Sequence, residues 1–322
     1  MKIHIILLGL VLCLPLMAAD KKPLSKEESA KVIEAAIRKE LKKPTGELTK
    51  ADLEKVTKLY LRSNKLADVP KGLEKLTQLR ELNLWDNKLT DVKGLENLTH
   101  LTSLSLSNNR LTNVTDLEKL TQLRTLHLGG NPLTDVKGLE NLTQLKRLDL
   151  MDNKLTDMKG LGKLTQLERL WLRDNKLTEL KGLEKLTKLE ELKLHRNILT
   201  DLKGLEKLTQ LTMLILNNNK LTDLKGLQNL TQLEGLGLGG NQLTDVKALE
   251  KLTQLTSLGL EINQLTDVKG LEKLTRLAKL YLQKNKLTKA QIDELQKALP
   301  KCKIYSNPQS NPSLFHPPYH LR

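Results

Sequence analysis

An α/β solenoid, made by stacking one short unit many times and closed at each end by a helical cap, is the fold that this sequence predicts. Three observations predict it. Asn64 is followed at a spacing of 23 by Asn87, then at a strict 22 by Asn109, Asn131, Asn153, Asn175, Asn197, Asn219, Asn241, Asn263 and Asn285, which makes eleven copies of one unit. Around each Asn, Leu falls five and three residues before and two after, as Leu82, Leu84 and Leu89 do around Asn87; an alternation of period two is a short strand. The chain is 39% hydrophobic but only 2% aromatic, so its core has to be aliphatic almost throughout.

Taken in order, the chain opens on residues 1–19, where Lys2 precedes an apolar run from Ile3 to Met17 and the small residues Ala18 and Ala19. This has the form of a secretory signal peptide, and it is short for a membrane span. The expected location is therefore secreted or periplasmic, with no transmembrane segment. Leu12, before Cys13, is not the small residue that a lipoprotein signal carries there. Residues 20–52 form an N-terminal helical cap: Ser25 stands three before Glu28, a capping box, and a shorter helix follows from Thr49 with Asp52 at the reciprocal position.

Residues 53–287 hold the eleven units. Within each, further apolar residues such as Leu76, Leu79, Val92 and Leu95 frame the strand, and TDVKGLENLT reads as a turn followed by a helical or 3₁₀ return. One unit cannot fold alone. Burying about seven aliphatic side chains gains on the order of 10 to 20 kcal/mol, while fixing 22 backbones costs about 1 to 2 kcal/mol each. Stacking closes that gap, with strands about 4.8 Å apart. The Asn amide, with donors and acceptors together, suits the backbone groups where the strand turns inward.

After the last Asn, residues 288–305 form a C-terminal helix–strand cap, a helix from Thr288 to near Pro300 and then CKIY as an irregular last strand. Residues 306–322, rich in proline and without periodicity, read as a disordered tail. Beyond the signal peptide Cys302 is the only cysteine, and its apolar setting, LPKCKIY, points to a buried, inert thiol.

The unit LxxLxxLxLxxNxLTDVKGLEKLT resembles the 22-residue bacterial leucine-rich repeats, above all those of the internalin type. The resemblance spans about residues 53–287. It implies a right-handed horseshoe with parallel strands on the concave face and turns with short helical or 3₁₀ pieces on the convex face. It also raises adhesion to a host or neighbouring cell by analogy.

Several chemistries find little footing. Gly235-x-Gly237-x-x-Gly240 matches a dinucleotide-binding pattern, but it lies inside a strand of the repeat and no long helix follows, so no nucleotide is expected. The glycines are expected to leave a bare stretch of concave surface. His127 and His195 are three units apart, roughly 15 Å at strand spacing, and Pro317 and Pro318 separate His316 from His320. The Ser103, Ser105, Ser107 column has no neighbouring base. No enzyme, no cofactor and no metal site are expected.

Leu and Asn serve the fold, so function is sought at the positions that vary: six, four, two and one before each Asn. Both Trp residues and two of the four Tyr fall there, and Trp, Tyr and Arg dominate interface hot spots. The expected partner-binding residues are Trp85 and the dense central patch Arg147, Asp149, Arg169, Trp171, Arg173, Asp174, Glu191, Lys193, His195 and Arg196. The bland alternative is a solvated face whose charges pair across neighbouring strands.

The net charge is +15, yet the variable concave positions hold nine Lys or Arg against seven Asp or Glu, which leaves only +2. The excess lies in columns such as Lys93, Lys137, Lys159, Lys181, Lys203, Lys225, Lys247 and Lys269, with Asp columns beside them. No aromatics interleave these lysines to stack bases, so nucleic acid is not expected. The favoured function is an exported, non-catalytic, monomeric protein-binding module. The alternative is an envelope or surface protein whose Lys columns hold anionic polymers such as polysaccharide.

Overall fold

The structure, a computed structural model, describes residues 22–307. The expected signal peptide and residues 308–322 of the expected tail lie outside the described residues. Helix α1 (Lys26–Glu40) starts as its capping box dictates: Glu28 N–H donates to Ser25 Oγ (3.2 Å) and Ser25 N–H donates to the Glu28 carboxylate (2.7 Å). Its Ile33 and Ile37 are buried against the first end of the core. Helix α2 (Lys50–Leu53) is a single turn held by the same reciprocal pair at Thr49 and Asp52.

Twelve three-residue strands follow: β1 (Lys58–Tyr60), β2 (Glu81–Asn83), β3 (Ser103–Ser105), β4 (Thr125–His127), β5 (Arg147–Asp149), β6 (Arg169–Trp171), β7 (Glu191–Lys193), β8 (Met213–Ile215), β9 (Gly235–Gly237), β10 (Ser257–Gly259), β11 (Lys279–Tyr281) and β12 (Lys303–Tyr305). They form one open parallel sheet in strict sequence order, each paired only with its neighbours. Register is fixed by the repeat, with Leu82 opposite Leu104 and Leu104 opposite Leu126. Ladder bonds run on past each strand, as Leu84 N–H to Ser105 O (2.8 Å) and Asp86 N–H to Ser107 O (3.0 Å) show.

The return on the convex side is a staircase of tight turns rather than a helix. Val92, Leu95, Leu98 and Leu101 recur every third residue, the period of a 3₁₀ helix, and each N–H donates to the carbonyl three back: Leu95 to Val92 (3.1 Å), Leu98 to Leu95 (2.9 Å), Leu101 to Leu98 (3.0 Å). Five copies are regular enough to form 3₁₀ helices, among them Leu73–Lys75 and Thr115–Leu117. Before each staircase Asp91 and its equivalents cap the backbone, Lys93 N–H donating to Asp91 Oδ1 at 3.1 Å, and Gly94 N–H donates to Glu96 Oε2 at 2.6 Å. Gly94 takes φ 95° here, which glycine tolerates. Where Asp116 and Ala248 replace that glycine, the 3₁₀ turn begins two residues earlier in the unit, at Thr115 and Lys247.

Between the sheet and the staircase lies a continuous column of fully buried Leu, closed at the far end by Leu295 and Leu299 around α3 (Lys289–Ala298) and by Cys302. Burial pushes the Cys302 thiol up to about 11, so it stays protonated and unreactive.

The recurrent Asn joins each layer to the one before it. Asn175 Nδ2 donates to Leu172 O of its own copy (3.1 Å) and to Leu150 O of the previous one (2.9 Å), while Leu155 N–H of the previous copy donates to its Oδ1 (3.0 Å). The same three bonds recur from Asn87 to Asn285. Replacing Asn175 with Ala leaves three buried backbone groups unpaired. At about 1 to 3 kcal/mol each, the variant is expected to lose several kcal/mol by urea unfolding. Asn64→Ala, at the edge, where the side chain donates only to Arg62 O, should cost far less; equal losses at the two sites would sink this account.

Candidate partner-binding face

The sheet register brings most of the expected site residues into two networks on the concave face. Glu191 is the centre of the first. Trp171 Nε1 donates to its Oε1 at 3.0 Å, Lys193 Nζ lies 2.6 Å from the same oxygen, and Arg169 Nε lies 3.7 Å from Oε2. Lys193 Nζ also sits 4.6 Å from the centre of the Trp171 ring, a cation–π contact. The second network surrounds Asp174, with Arg173 Nε at 2.7 Å and Arg196 Nη1 at 3.5 Å.

Cross-strand neighbours β4, β5 and β6 place His127, Asp149 and Trp171 in one row. Asp149 is buried, takes the Met151 N–H at 2.9 Å, and has His127 Nδ1 3.7 Å away. The His127 ring lies 6.5 Å from that of Trp171. Arg147 is exposed and His195 half-buried on the same face. Trp85 stands apart from this patch, 38% exposed. It lines a recess of about 360 Å³ together with His127, Gly129, Asp149 and Arg173, which joins it to the central patch through open groove rather than contact.

The position just before each Asn is not free to vary in the way its charges suggest. Asp86, Asn108, Asp152, Asp174, Arg196 and Asn218 all have φ between 52° and 57°, and Gly130 and Gly240 stand there at 68° and 69°. This is the left-handed region, in which Asn, Asp and Gly are tolerated best. Asp174 is therefore in part a backbone residue. The recurrence of Asn, Asp and Gly in that column is the sequence signal for it.

The glycine rung corrects the sequence expectation. Gly235, Gly237 and Gly239 are buried, not bare. The neighbouring rungs fold over them: a Cβ on Gly235 would lie 2.7 Å from Met213 Sδ, one on Gly237 would meet Asn217, and one on Gly239 would overlap the Glu261 carboxyl. Glycine here makes room for side chains of its own chain. Gly129 does the same for Asp149, whose Oδ2 lies 3.0 Å from the missing Cβ.

Glu261 is thus a feature that its charge alone did not single out. It is 5% exposed, its Oε1 has the Asn217 amide at 3.4 Å, and burial holds its carboxyl above the ordinary value. A raised carboxyl binds its proton more tightly in the folded state, so stability falls as pH rises from about 4, the unfolded value, through the folded value. Urea midpoints of the wild type and Glu261→Gln should diverge in favour of the variant as pH rises from acid to neutral. A difference independent of pH would refute the burial of an unpaired acid.

Comparison with known proteins follows the same lines. A family model for leucine-rich repeats, in two-copy blocks, matches residues 54–97, 77–119, 121–163, 165–207 and 209–251. No curated protein gives a significant sequence match. Among solved structures, the internalin InlF of Listeria monocytogenes is similar with 29% identity, 91% of this chain and 100% of that one covered, and a TM-score of 0.59. A leucine-rich-repeat protein of Leptospira interrogans is 30% identical over 81% of each chain, with a TM-score of 0.61. The functional domain of InlJ from Listeria monocytogenes is 28% identical over 80% of this chain and 54% of that one, with a TM-score of 0.71. With repeat, sheet order and family model in agreement, the chain belongs to the leucine-rich repeat family, as a bacterial internalin-like member of it.

Proposed function

We propose that the protein is an exported, non-catalytic binding module that holds a protein partner on its concave face as a monomer. The observation that carries this reading is the placement of its aromatic rings. Tyr60, Trp85, Trp171, Tyr281 and Tyr305 are the Trp and Tyr of the described residues, and each lies in a concave strand or just after one. A core built from Leu has no use for them, and their energetic value lies in contact with a partner. Trp171 is preorganised by Glu191 and Lys193, so a partner would not have to pay the entropy of ordering it. Export rests on the form of residues 1–19, and none of the helices among the described residues is long and apolar enough to cross a membrane.

A second reading has one observation in its favour. The lysines of the column Lys93, Lys137, Lys159, Lys181, Lys203, Lys225, Lys247 and Lys269 are all exposed, and Lys159 and Lys269 reach their nearest carboxylates only at 4.0 and 3.8 Å. Such a row could hold an anionic polymer. Salt separates the two, because exposed charges are screened within about 10 Å at 0.1 M ionic strength.

The deciding experiment captures partners from the source organism's extracellular and envelope fractions at low and high salt. It compares the wild type, Trp171→Ala/Arg173→Glu, and a variant with Lys137, Lys159 and Lys181 changed to Glu. A discrete protein retained at high salt, kept by the Lys variant and bound at least about thirtyfold more weakly by the concave variant, the loss expected of a hot spot worth about 2 kcal/mol, is the expected result. Capture that ignores the concave variant but vanishes with salt and with the Lys variant would replace this reading with the polymer-holding one.

A further inference from the structure

Two acceptor oxygens on the concave face have no donor. Glu261 and Gln283 are 5% and 8% exposed, and among the described residues neither Glu261 Oε2 nor Gln283 Oε1 has a hydrogen-bond partner. Each stands two residues before its Asn, on neighbouring rungs, so their backbones are one strand spacing apart, about 4.8 Å. Buried acceptors without donors are rare because the loss of water goes uncompensated.

The surroundings supply no counter-charge. The rung before Glu261 is Gly235, Gly237 and Gly239, and the one before that contributes Met213, Ile215 and Asn217. Its own rung contributes Ser257, Gly259 and the exposed Ile262, and the next contributes Tyr281 and Gln283. Lys279 and Lys284 of that rung are exposed, and among the described residues no Lys, Arg or His forms an ion pair with Glu261. Asp149, the other buried acid of the face, has His127 beside it and a backbone N–H on its other oxygen.

The amide of Asn217 adds a constraint. In the orientation that satisfies the sheet, its nitrogen donates to Gly237 O at 3.2 Å and its oxygen accepts from Gly239 N–H at 3.3 Å. That oxygen then faces Glu261, and two acceptors can meet only if the carboxyl carries a proton. Unliganded, Glu261 is an acid folded into the glycine gap.

We propose that Glu261 and Gln283 form a seat for one basic side chain of the partner, whose cationic N–H groups the two unpaired oxygens accept. Two unpaired acceptor oxygens, one of them on an acid, select a group that carries several N–H donors and a positive charge, which describes ammonium and guanidinium. The ion pair needs the carboxylate, so where the carboxyl is protonated it gives that proton to water as the pair forms. The glycine rung leaves no Cβ to stop the Glu261 side chain rising from the gap. The rest of the molecule is basic, which favours a lone Lys or Arg over a basic tract. The seat rests on the reading of the concave face as the binding surface, but it lies four rungs from Trp171 and is tested without the natural partner.

The probe is N-acetyl-arginine amide, with the uncharged isostere N-acetyl-citrulline amide beside it, titrated into the mature chain while the amide NMR signals of Gly237, Gly239, Ile262 and Gln283 are followed. The expected result is saturable shifts with the arginine probe only, with affinity rising about tenfold per pH unit below the folded-state pKa of Glu261 and levelling above it. Glu261→Gln, whose unchanged spectrum elsewhere reports an intact fold, should lose the response and its pH dependence. Equal binding of the two probes, no saturable shift, or an unaltered response in Glu261→Gln would each overturn the seat. Because Trp171→Ala/Arg173→Glu leaves this region untouched, loss of partner capture in that variant and loss of the probe response can be told apart.

Discussion

Everything in this molecule depends on one amide per turn of the solenoid. A unit of 22 residues turns its backbone inward at the end of a three-residue strand, and there it would bury two carbonyls and an N–H with no partner. Asn supplies two donors and an acceptor from one short side chain. Because its bonds divide between its own copy and the previous copy, the group that satisfies the turn also sets the register between layers. Gln would reach too far and Asp lacks the donors. The strict spacing of Asn follows from this, and the Leu column inherits its alignment from it.

Once that spacing is fixed, the concave face is divided into positions with different degrees of freedom. The residues six and four before Asn lie in the strand and two before lies just beyond it; all three point away from the Leu core and can vary. The residue directly before Asn carries a left-handed backbone in every copy, from Ser63 at 57° to Lys284 at 55°. The face is therefore free to vary mainly in three columns out of four. On those columns, side chains satisfy one another across rungs wherever they can, as Glu191 does for Trp171, Lys193 and Arg169. The face is thus ordered by its own contacts.

How far the sequence discloses this follows from the range of each interaction. Strands, Asn positions and caps depend on neighbours at fixed offsets, and they are legible. Ser25 with Glu28, Thr49 with Asp52, and the 22-residue spacing each name their own partner. The convex return was legible only as a helical or 3₁₀ piece, and the three-back bonds from Val92 to Leu101 decide for 3₁₀-type turns. The filling of the glycine rung was not. It depends on Met213 and Asn217 from one side and Glu261 from the other leaning into space that only the stacked structure creates. The central patch was found as a set of columns, but the hub role of Glu191 rests on side-chain directions that no spacing encodes.

The remaining departures from the repeat are informative because the repeat is so regular. Natural sequences tend to break local rules where function requires it. Ile262 is β-branched, 45% exposed and held at φ 55°, a conformation that costs an L residue with a branched Cβ about 1 to 2 kcal/mol. Most other copies place Asn, Asp or Gly there, which tolerate it better, and none of the rest carries a branched Cβ. Glu261, directly before it, buries a carboxyl with an oxygen that nothing among the described residues satisfies. Two adjacent residues that each work against stability, beside a rung stripped of side chains, are hard to explain by stacking, since stacking alone would restore the consensus. They make sense if the tenth copy is shaped by something that lies against it.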